Sequence, residues 1–381
     1  MSMPQELTSQ MVLDSLNEGV YVTDLQRTIR YWGKAAERIT GWSTSEVIGK
    51  QCHDGVLCHI DKDGHRLCGE EYCPLHRSMV TGQRSVVPII VFAQKRDGGR
   101  VPLQVAVAPL RNEAGEVIGG VETFRDISLE IADINRARKI QMLSLQQELP
   151  TDPRVQFKLR YVPHDIIGGD FCAVARVSPD QYGFLIADVT GHGVSAALYT
   201  MFLSSLWASH QGLLTCPTEF ARTVGDRLEQ LIQENEPGFA AAMCGIFDLG
   251  CGELRFVAAG NPAPLVARAD GTWEEPQVGG LPLGMWRGAE YEQTIIPLHV
   301  GDSVLLFTDG ATEIPSRTGG RNDLLGAEGL RRILQAVGYP AVDPPFDEIE
   351  SRLLAASDRI RFDDDLTFLN ARIRALGSGE Q

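Results

Sequence analysis

Leu185-Ile186-Ala187-Asp188-Val189-Thr190-Gly191-His192-Gly193 is the stretch on which the reading of this chain turns. An apolar run ends on an acid, and glycines follow at once. Three other segments share the pattern: Gly168-Gly169-Asp170-Phe171, Thr308-Asp309-Gly310 and Asp363-Asp364-Asp365-Leu366-Thr367. Leu305-Leu306-Phe307 leads toward Asp309, and Leu366-Thr367-Phe368-Leu369 leaves Asp365. Short apolar runs bounded by turn residues read as buried strands. An acid at a strand end is held rigidly, and adjacent glycines let carbonyls and incoming ligands approach closely. A single Asp-Gly pair is usually only a turn. Four acidic segments with extended flanks point instead to one shared cleft.

Carboxylates gathered in one place repel one another unless cations neutralise them. Hard oxygen donors select Mg²⁺ or Mn²⁺ over zinc. Two such ions roughly 3.5–4 Å apart can activate a water and clamp a phosphoryl group during in-line attack. That chemistry needs no side-chain nucleophile.

Around these segments, residues 151–375 read as strands alternating with turns: Phe184–Ala187, Ala241–Phe247, Leu254–Ala258, Ser303–Phe307 and Leu366–Ile373. Helical stretches Ser195–Ser209 and Glu219–Glu234 fall in the middle. Upstream, Ile127, Ile131, Ile134, Met142, Leu145 and Leu149 recur at helical spacing, with Arg138 filling a gap. The extra four-residue step there is a stutter, and Pro150 and Pro153 end the helix. Residues 128–150 are therefore expected to be a helical linker, either an amphipathic helix packed on one of the domains or a coiled coil that pairs with its copy in a homodimer. Residues 8–127 read as a small α+β unit. Gly19–Val22 and Thr28–Trp32 are strands flanking a turn, and Ala35–Ile39 is helical. Val86–Phe92, Val101–Val107 and Val117–Phe124 form an antiparallel meander.

The 381 residues allow two or three domains, and the net charge of −15 disfavours nucleic acid as a partner. The polar start MSMPQELTSQ lacks a secretory pattern. The most apolar run, Val86–Ala93, is too short to cross a bilayer and contains Pro88. The expectation is a cytoplasmic protein without membrane insertion.

The section 151–375 resembles the PPM-type metal-dependent phosphatases, in the SpoIIE/RsbU branch. The matching strings are Tyr161-Val-Pro-His-Asp-Ile-Ile-Gly-Gly-Asp-Phe171, Ile186-Ala-Asp-Val-Thr-Gly-His-Gly-Val-Ser-Ala-Ala197, Ala259-Gly-Asn-Pro-Ala-Pro264, Gly301-Asp-Ser-Val-Leu-Leu-Phe-Thr-Asp-Gly-Ala-Thr-Glu313 and Asp364-Asp-Leu-Thr367. They occur in the family's order. The resemblance implies an α/β-β/α sandwich of two antiparallel sheets flanked by helices. It implies Asp188 as the acid shared by two Mn²⁺ or Mg²⁺ ions, with the Val189 carbonyl, Asp309 and Asp364 as further ligands. Asp170 would sit at the second metal or its waters, and Asp365 is the lesser ligand of its pair. Gly168, Gly169, Gly191 and Gly193 would shape the cleft, with His192 near it. The family often has Ala-Gly-His where this chain has Ala259-Gly260-Asn261, a substitution that keeps a turn-compatible polar residue. The implied activity is dephosphorylation of phosphoserine or phosphothreonine on a partner protein, by analogy an anti-sigma factor antagonist. A docking protein that keeps the fold without turnover is the alternative; no required acid is missing.

The first section resembles a PAS sensor domain, on the string Gly19-Val-Tyr-Val-Thr-Asp through Trp42-Ser-Thr-Ser-Glu-Val-Ile-Gly-Lys50 and on the closing Phe124-Arg-Asp-Ile127. Gly33 stands where many such domains have an Asn cap. The segment 52–74 is unusual for a PAS domain: Cys52, Cys58, Cys68 and Cys73 lie close together, interleaved with histidines. Zinc, an iron–sulfur cluster or a redox switch would use such donors. The spacings are wider than the Cys-x-x-Cys pairs of common zinc sites. A loop of reduced, buried thiols stays open beside a metal or redox ligand, and the pattern does not name that ligand.

Overall fold

The computed structural model describes residues 9–62, 64–69, 72–85, 89–146, 148–191, 193–231, 238–317, 323–357 and 361–377. The chain divides into two units, Met1–Asp133 and Ile134–Gln381.

The first unit is one antiparallel sheet with short helices. Strands β1 (Gly19–Asp24), β2 (Ile29–Trp32), β3 (Ile89–Gln94), β4 (Arg100–Arg111) and β5 (Val117–Asp126) lie in the order β2-β1-β5-β4-β3. The expected meander is therefore β3-β4-β5; the start of its first run, residues 86–88, lies outside the described residues. Alternate residues of β4 (Val101, Leu103, Val105, Val107) are buried, as a sheet with one covered face requires. Tyr21, Trp32 and Phe124 meet in that core with ring centroids 5.5–6.4 Å apart. Helices α1 (Ser9–Asp14), α2 (Lys34–Thr40), α3 (Thr44–Val47) and α4 (Pro74–Thr81) complete the unit. Gly33 gives α2 no side-chain cap, whereas Ser43 and Glu46 form a capping box on α3.

Helix α5 (Ser128–Leu145) begins in the first unit and ends in the second. Its inward line differs from the expected stripe. Gln141 is buried, while Met142 is 48% exposed. Taking Gln141 in place of Met142, and half-buried Ala137 in place of exposed Arg138, gives steps of three and four through Ile131, Ile134, Ala137, Gln141 and Leu145. A polar residue at a core position hid that register.

The second unit is a sandwich. Strands β6 (Val155–Val162), β7 (Asp170–Ser178), β8 (Gln181–Val189), β9 (Ala240–Asp248), β10 (Glu253–Ala259), β11 (Leu265–Ala267), β12 (Trp273–Glu274), β13 (Thr294–Pro297), β14 (Ser303–Phe307) and β15 (Leu366–Ile373) form two antiparallel sheets. Their orders are β13-β10-β9-β8-β7 and β12-β11-β14-β15-β6. Helices α6 (Val194–His210) and α7 (Pro217–Glu229) pack on the outer face of the first sheet, and α8 (Gly326–Ala336) and α9 (Phe346–Ser357) on that of the second. The continuous apolar runs follow from this layering, because both faces of the inner strands are covered. Phe184 and Ile186 of β8 point into the inter-sheet core with Phe247, Leu306 and Leu369, while Leu185, Ala187 and Val189 face the helix layer with Trp207 and Phe220. The architecture is the expected α/β-β/α sandwich. The expected helix Glu219–Glu234 starts two residues earlier, at Pro217, and residues 232–234 lie outside the described residues.

Candidate active site

The two sheets bring the acidic segments to one end of the sandwich. Asp170 opens β7 and Asp188 is the next-to-last residue of β8, and the antiparallel register sets them directly opposite each other. Asp309 follows β14 in a short 3₁₀ turn, and Asp364 precedes β15, the strand paired with β14. Asp188, Asp309 and Asp364 each present a carboxylate oxygen, and these oxygens lie within 4.8 Å of one another. Among the described residues no other trio of His, Cys, Asp or Glu does so.

Asp170 and Asp365 are buried behind that trio and do different work. Asp170 Oδ2 accepts from the hydroxyls of Thr308 at 2.9 Å and Thr367 at 2.5 Å, while its Oδ1 is buried without a hydrogen-bond partner. An orphaned buried carboxylate oxygen is a position that a cation or its water would satisfy. Asp365 is instead consumed by the backbone. Its Oδ1 accepts from the His164 N–H at 2.6 Å, and its Oδ2 from the N–H groups of Gly169 and, at 3.2 Å, Asp170. It ties the Gly168-Gly169-Asp170 loop to the start of β15.

Two glycines are needed for the close approach. A Cβ on Gly169 would stand 3.0 Å from the Val189 carbonyl oxygen and 3.6 Å from Asp188 Oδ1, crowding the carbonyl expected to face a cation. A Cβ on Gly310 would lie 2.0 Å from the Asp365 carbonyl. Asn261 donates to the Phe307 carbonyl at 3.0 Å and so fixes the end of β14 just before Asp309. His192 lies outside the described residues.

Without cations the cluster is electrostatically strained. Burial, reinforced by Asp309, Asp364 and Asp365, pushes Asp188 up to about 8. Burial, then Glu313 and Asp364, raises Asp309 to about 6. Asp170 is driven well above the carboxylate range by burial first, then by Asp188 and Asp365. The donors are all hard oxygens, with no thiol or imidazole among them, so they fit Mg²⁺ or Mn²⁺. Beside Asp364 is a small cavity of about 150 Å³ lined by Glu313, Arg361 and Asp363.

Sequence reasoning missed Thr308, Thr367, Gln141 and Arg361. The threonines were visible inside the quoted motifs but read as strand residues. Gln141 Nε2 donates to the Gly168 carbonyl at 2.7 Å and to Thr200 Oγ1 at 2.9 Å, linking α5 to the loop that carries Asp170. Of the sensor cysteines, Cys52, Cys68 and Cys73 are buried and Cys58 is half-buried.

Comparison with known proteins follows the same division. The model of the stage II sporulation protein E (SpoIIE) family matches residues 178–374, and that of the PAS fold matches residues 13–131. The chain is 29% identical over 185 residues to the phosphoserine phosphatase RsbP of Bacillus subtilis, covering 48% of this chain and 45% of that protein. It is 23% identical over 253 residues to the phosphoserine phosphatase RsbU of the same species, covering 66% and 73%. The chain thus spans less than half the length of RsbP. Among solved structures, it is similar to the RsbU and RsbW domains of a Mycobacterium tuberculosis protein, with 25% identity, a TM-score of 0.51 and coverage of 61% and 64%. The SiaA-PP2C domain of Pseudomonas aeruginosa shares its fold at 20% identity, a TM-score of 0.53 and coverage of 64% and 98%.

Proposed function

Because this chain belongs to the SpoIIE family, whose model spans just over half of it, we propose that its C-terminal unit is a metal-dependent protein serine/threonine phosphatase governed by the N-terminal PAS unit. The observation that carries this reading is the meeting of Asp188, Asp309 and Asp364 at the strand ends, with an orphaned Asp170 oxygen behind them. In this reading Asp188, the Val189 carbonyl, Asp309 and Asp364 would hold two ions, with Asp188 serving both, and Asp170 would hold the second ion or its waters. Bound there, Mn²⁺ or Mg²⁺ would supply an activated water at neutral pH and neutralise charge on the phosphoryl group. The protein's own share is positional. Thr308 and Thr367 aim Asp170, Asp365 clamps the glycine loop, and Arg361 offers a guanidinium to phosphate oxygens at the cavity beside Asp364.

The substrate we propose is a phosphorylated anti-sigma factor antagonist; two curated relatives carry phosphoserine phosphatase names. Domain limits of 8–127, 128–150 and 151–375 suit this division of labour, with a ligand in the PAS unit setting activity through α5. The hydrogen bonds from Gln141 to Gly168 and Thr200 support that route. A homodimer through the PAS unit and α5 is supported by the exposed apolar side chains of Ile140, Met142 and Leu143. Among the described residues no helix is long and apolar enough to cross a membrane, and we place the protein in the cytoplasm.

The test is hydrolysis of p-nitrophenyl phosphate by the full chain with Mn²⁺, Mg²⁺ or chelator, beside Asp188→Ala and Asp309→Ala. Metal-dependent turnover lost in both variants supports the reading; full turnover in either removes the metal mechanism. Release of phosphate from a phosphorylated antagonist protein then tests the substrate.

A further inference from the structure

The interior of the first unit contains a second set of donors, softer than the aspartates and unrelated to them. Cys52 is 5% exposed, and Cys68 and Cys73 are each 6% exposed. Cys58 is separated from them in role. It is half-buried, its backbone has φ 39°, and its thiol turns to the His53 carbonyl at 3.6 Å. His59 stands in its place. It is 5% exposed, and its main-chain N–H donates to Cys68 Sγ at 2.9 Å.

The side chain of His59 is the unexplained part. Its Nε2 is buried without a hydrogen-bond partner, and so is Oε1 of Glu122, which is 1% exposed. The two atoms are 3.8 Å apart, too far for a hydrogen bond. Two donors on one tetrahedral ion, with bonds of about 2.0–2.3 Å, stand roughly 3.3–3.8 Å apart. Buried polar atoms are rarely left unpaired in a folded core, and the main chain of His59 already touches one buried sulfur, that of Cys68. Tyr21 stands opposite Glu122 in the β1–β5 ladder and shares one core cluster with Cys52 and Cys73, so the set is contiguous.

We propose that the PAS unit binds a thiophilic divalent cation of the zinc class, ligated by Cys52, Cys68, Cys73 and His59 Nε2, with Glu122 as the adjoining carboxylate. Three sulfurs and one imidazole are a recurrent tetrahedral zinc shell. His59 is assigned the fourth position because its own backbone already contacts a ligand sulfur. The sulfurs are not drawn together as the aspartates are, so uptake of the ion includes rotation of cysteine side chains. Cys58 is left out of the shell, which departs from a four-thiol site.

The experiment is titration of the full, reduced, metal-free chain with Co²⁺, the spectroscopic stand-in for zinc, in excess Mg²⁺ to occupy the aspartates. Thiolate-to-cobalt charge-transfer bands are expected to grow to about one equivalent and to vanish when Zn²⁺ displaces the cobalt. Carboxylate-bound cobalt gives no such band. Cys68→Ser with Cys73→Ser should remove it, His59→Ala should shift the titration to higher cobalt, and Cys58→Ser and His65→Ala should leave it unchanged. No thiolate band in the unmodified chain overturns the proposal, whether or not the cysteine variants fold. So does a band that needs Cys58, or one that survives loss of Cys68 and Cys73 together.

Discussion

Replacing Asp188 with Asn is expected to stabilise the metal-free protein while abolishing its response to Mn²⁺. Burial and the neighbouring carboxylates raise the Asp188 pKa from 3.8 to about 8. An acid whose folded-state pKa is raised prefers its neutral form in the fold. Its contribution is fully present below about pH 4 and is lost progressively as pH climbs toward about 8. At pH 7 the group has moved through about three pH units of that window, which at about 1.4 kcal/mol per unit sets a ceiling near 4 kcal/mol. Its partial contact with solvent brings the figure to about 2–3 kcal/mol. Asn removes the charge at nearly constant shape. For a unit of this size each kcal/mol moves the melting temperature by about 2–4 °C, so a rise of about 4–12 °C is expected in chelator at pH 7. Calorimetry of the full chain at pH 5 and pH 8, with chelator and then with Mn²⁺, measures it. The unmodified protein should lose stability from pH 5 to pH 8 and recover with Mn²⁺, by about 2.7 kcal/mol at a hundredfold excess over Kd. The variant should do neither. A variant that melts below the unmodified protein in chelator at pH 8, or an unmodified protein indifferent to this pH change, refutes the reasoning.

Asp365→Asn should act in the opposite sense. One or two charge-assisted bonds to His164, Gly169 and Asp170 are lost, so the chelator-treated protein should lose about 2–3 kcal/mol by urea unfolding, and turnover should fall with it. Gly169→Ala places a methyl 3.0 Å from the Val189 carbonyl, and a Mn²⁺ titration of turnover should show weaker metal affinity at little cost in stability. Gly310→Ala, at 2.0 Å from a backbone oxygen, should instead lower the melting temperature. Gln141→Leu leaves the Gly168 carbonyl and Thr200 without their donor, at about 1–3 kcal/mol; kcat with p-nitrophenyl phosphate should change while cobalt uptake by the PAS unit does not. Phe184→Ala in the inter-sheet core should cost about 3–5 kcal/mol by urea unfolding.

The parts of this site legible in the sequence were those where chemistry and local pattern coincide. An acid closing an apolar run, as at Ala187-Asp188 or Phe307-Thr308-Asp309, declares both the strand and its end. Where neighbours are chemically identical, pattern fails. Asp364 and Asp365 are adjacent acids, yet one joins the trio and the other spends both oxygens on backbone N–H groups. That choice is made by β15 pairing with β6 and β14, over 190 residues from the loop it secures. Gln141 was lost for a related reason: an amide at a core position breaks the apolar stripe, and its partners Gly168 and Thr200 are remote in sequence. Strand β6 alternates Val, Phe and Leu with Gln, Lys and Arg, a strand pattern overlooked between the prolines and the glycine loop. In the first unit, four thiols stood out by count, but only packing turns the Cys58 thiol to the His53 carbonyl and brings Glu122 of β5 to 3.8 Å from His59.

The second sheet also sets the order in which the unit can come into being. Its earliest strand, β6, is hydrogen-bonded along its length to β15, the latest. A chain emerging from the ribosome can build the β7-β8-β9-β10 meander as it appears, but β6 must wait unpaired on one edge until Ile373 is made. The trio of acids shares this timetable, because Asp364 arrives with β15. A growing or prematurely ended chain thus carries Asp170 and Asp188 without their completing partner, and the trio is assembled in one step when the last strand docks.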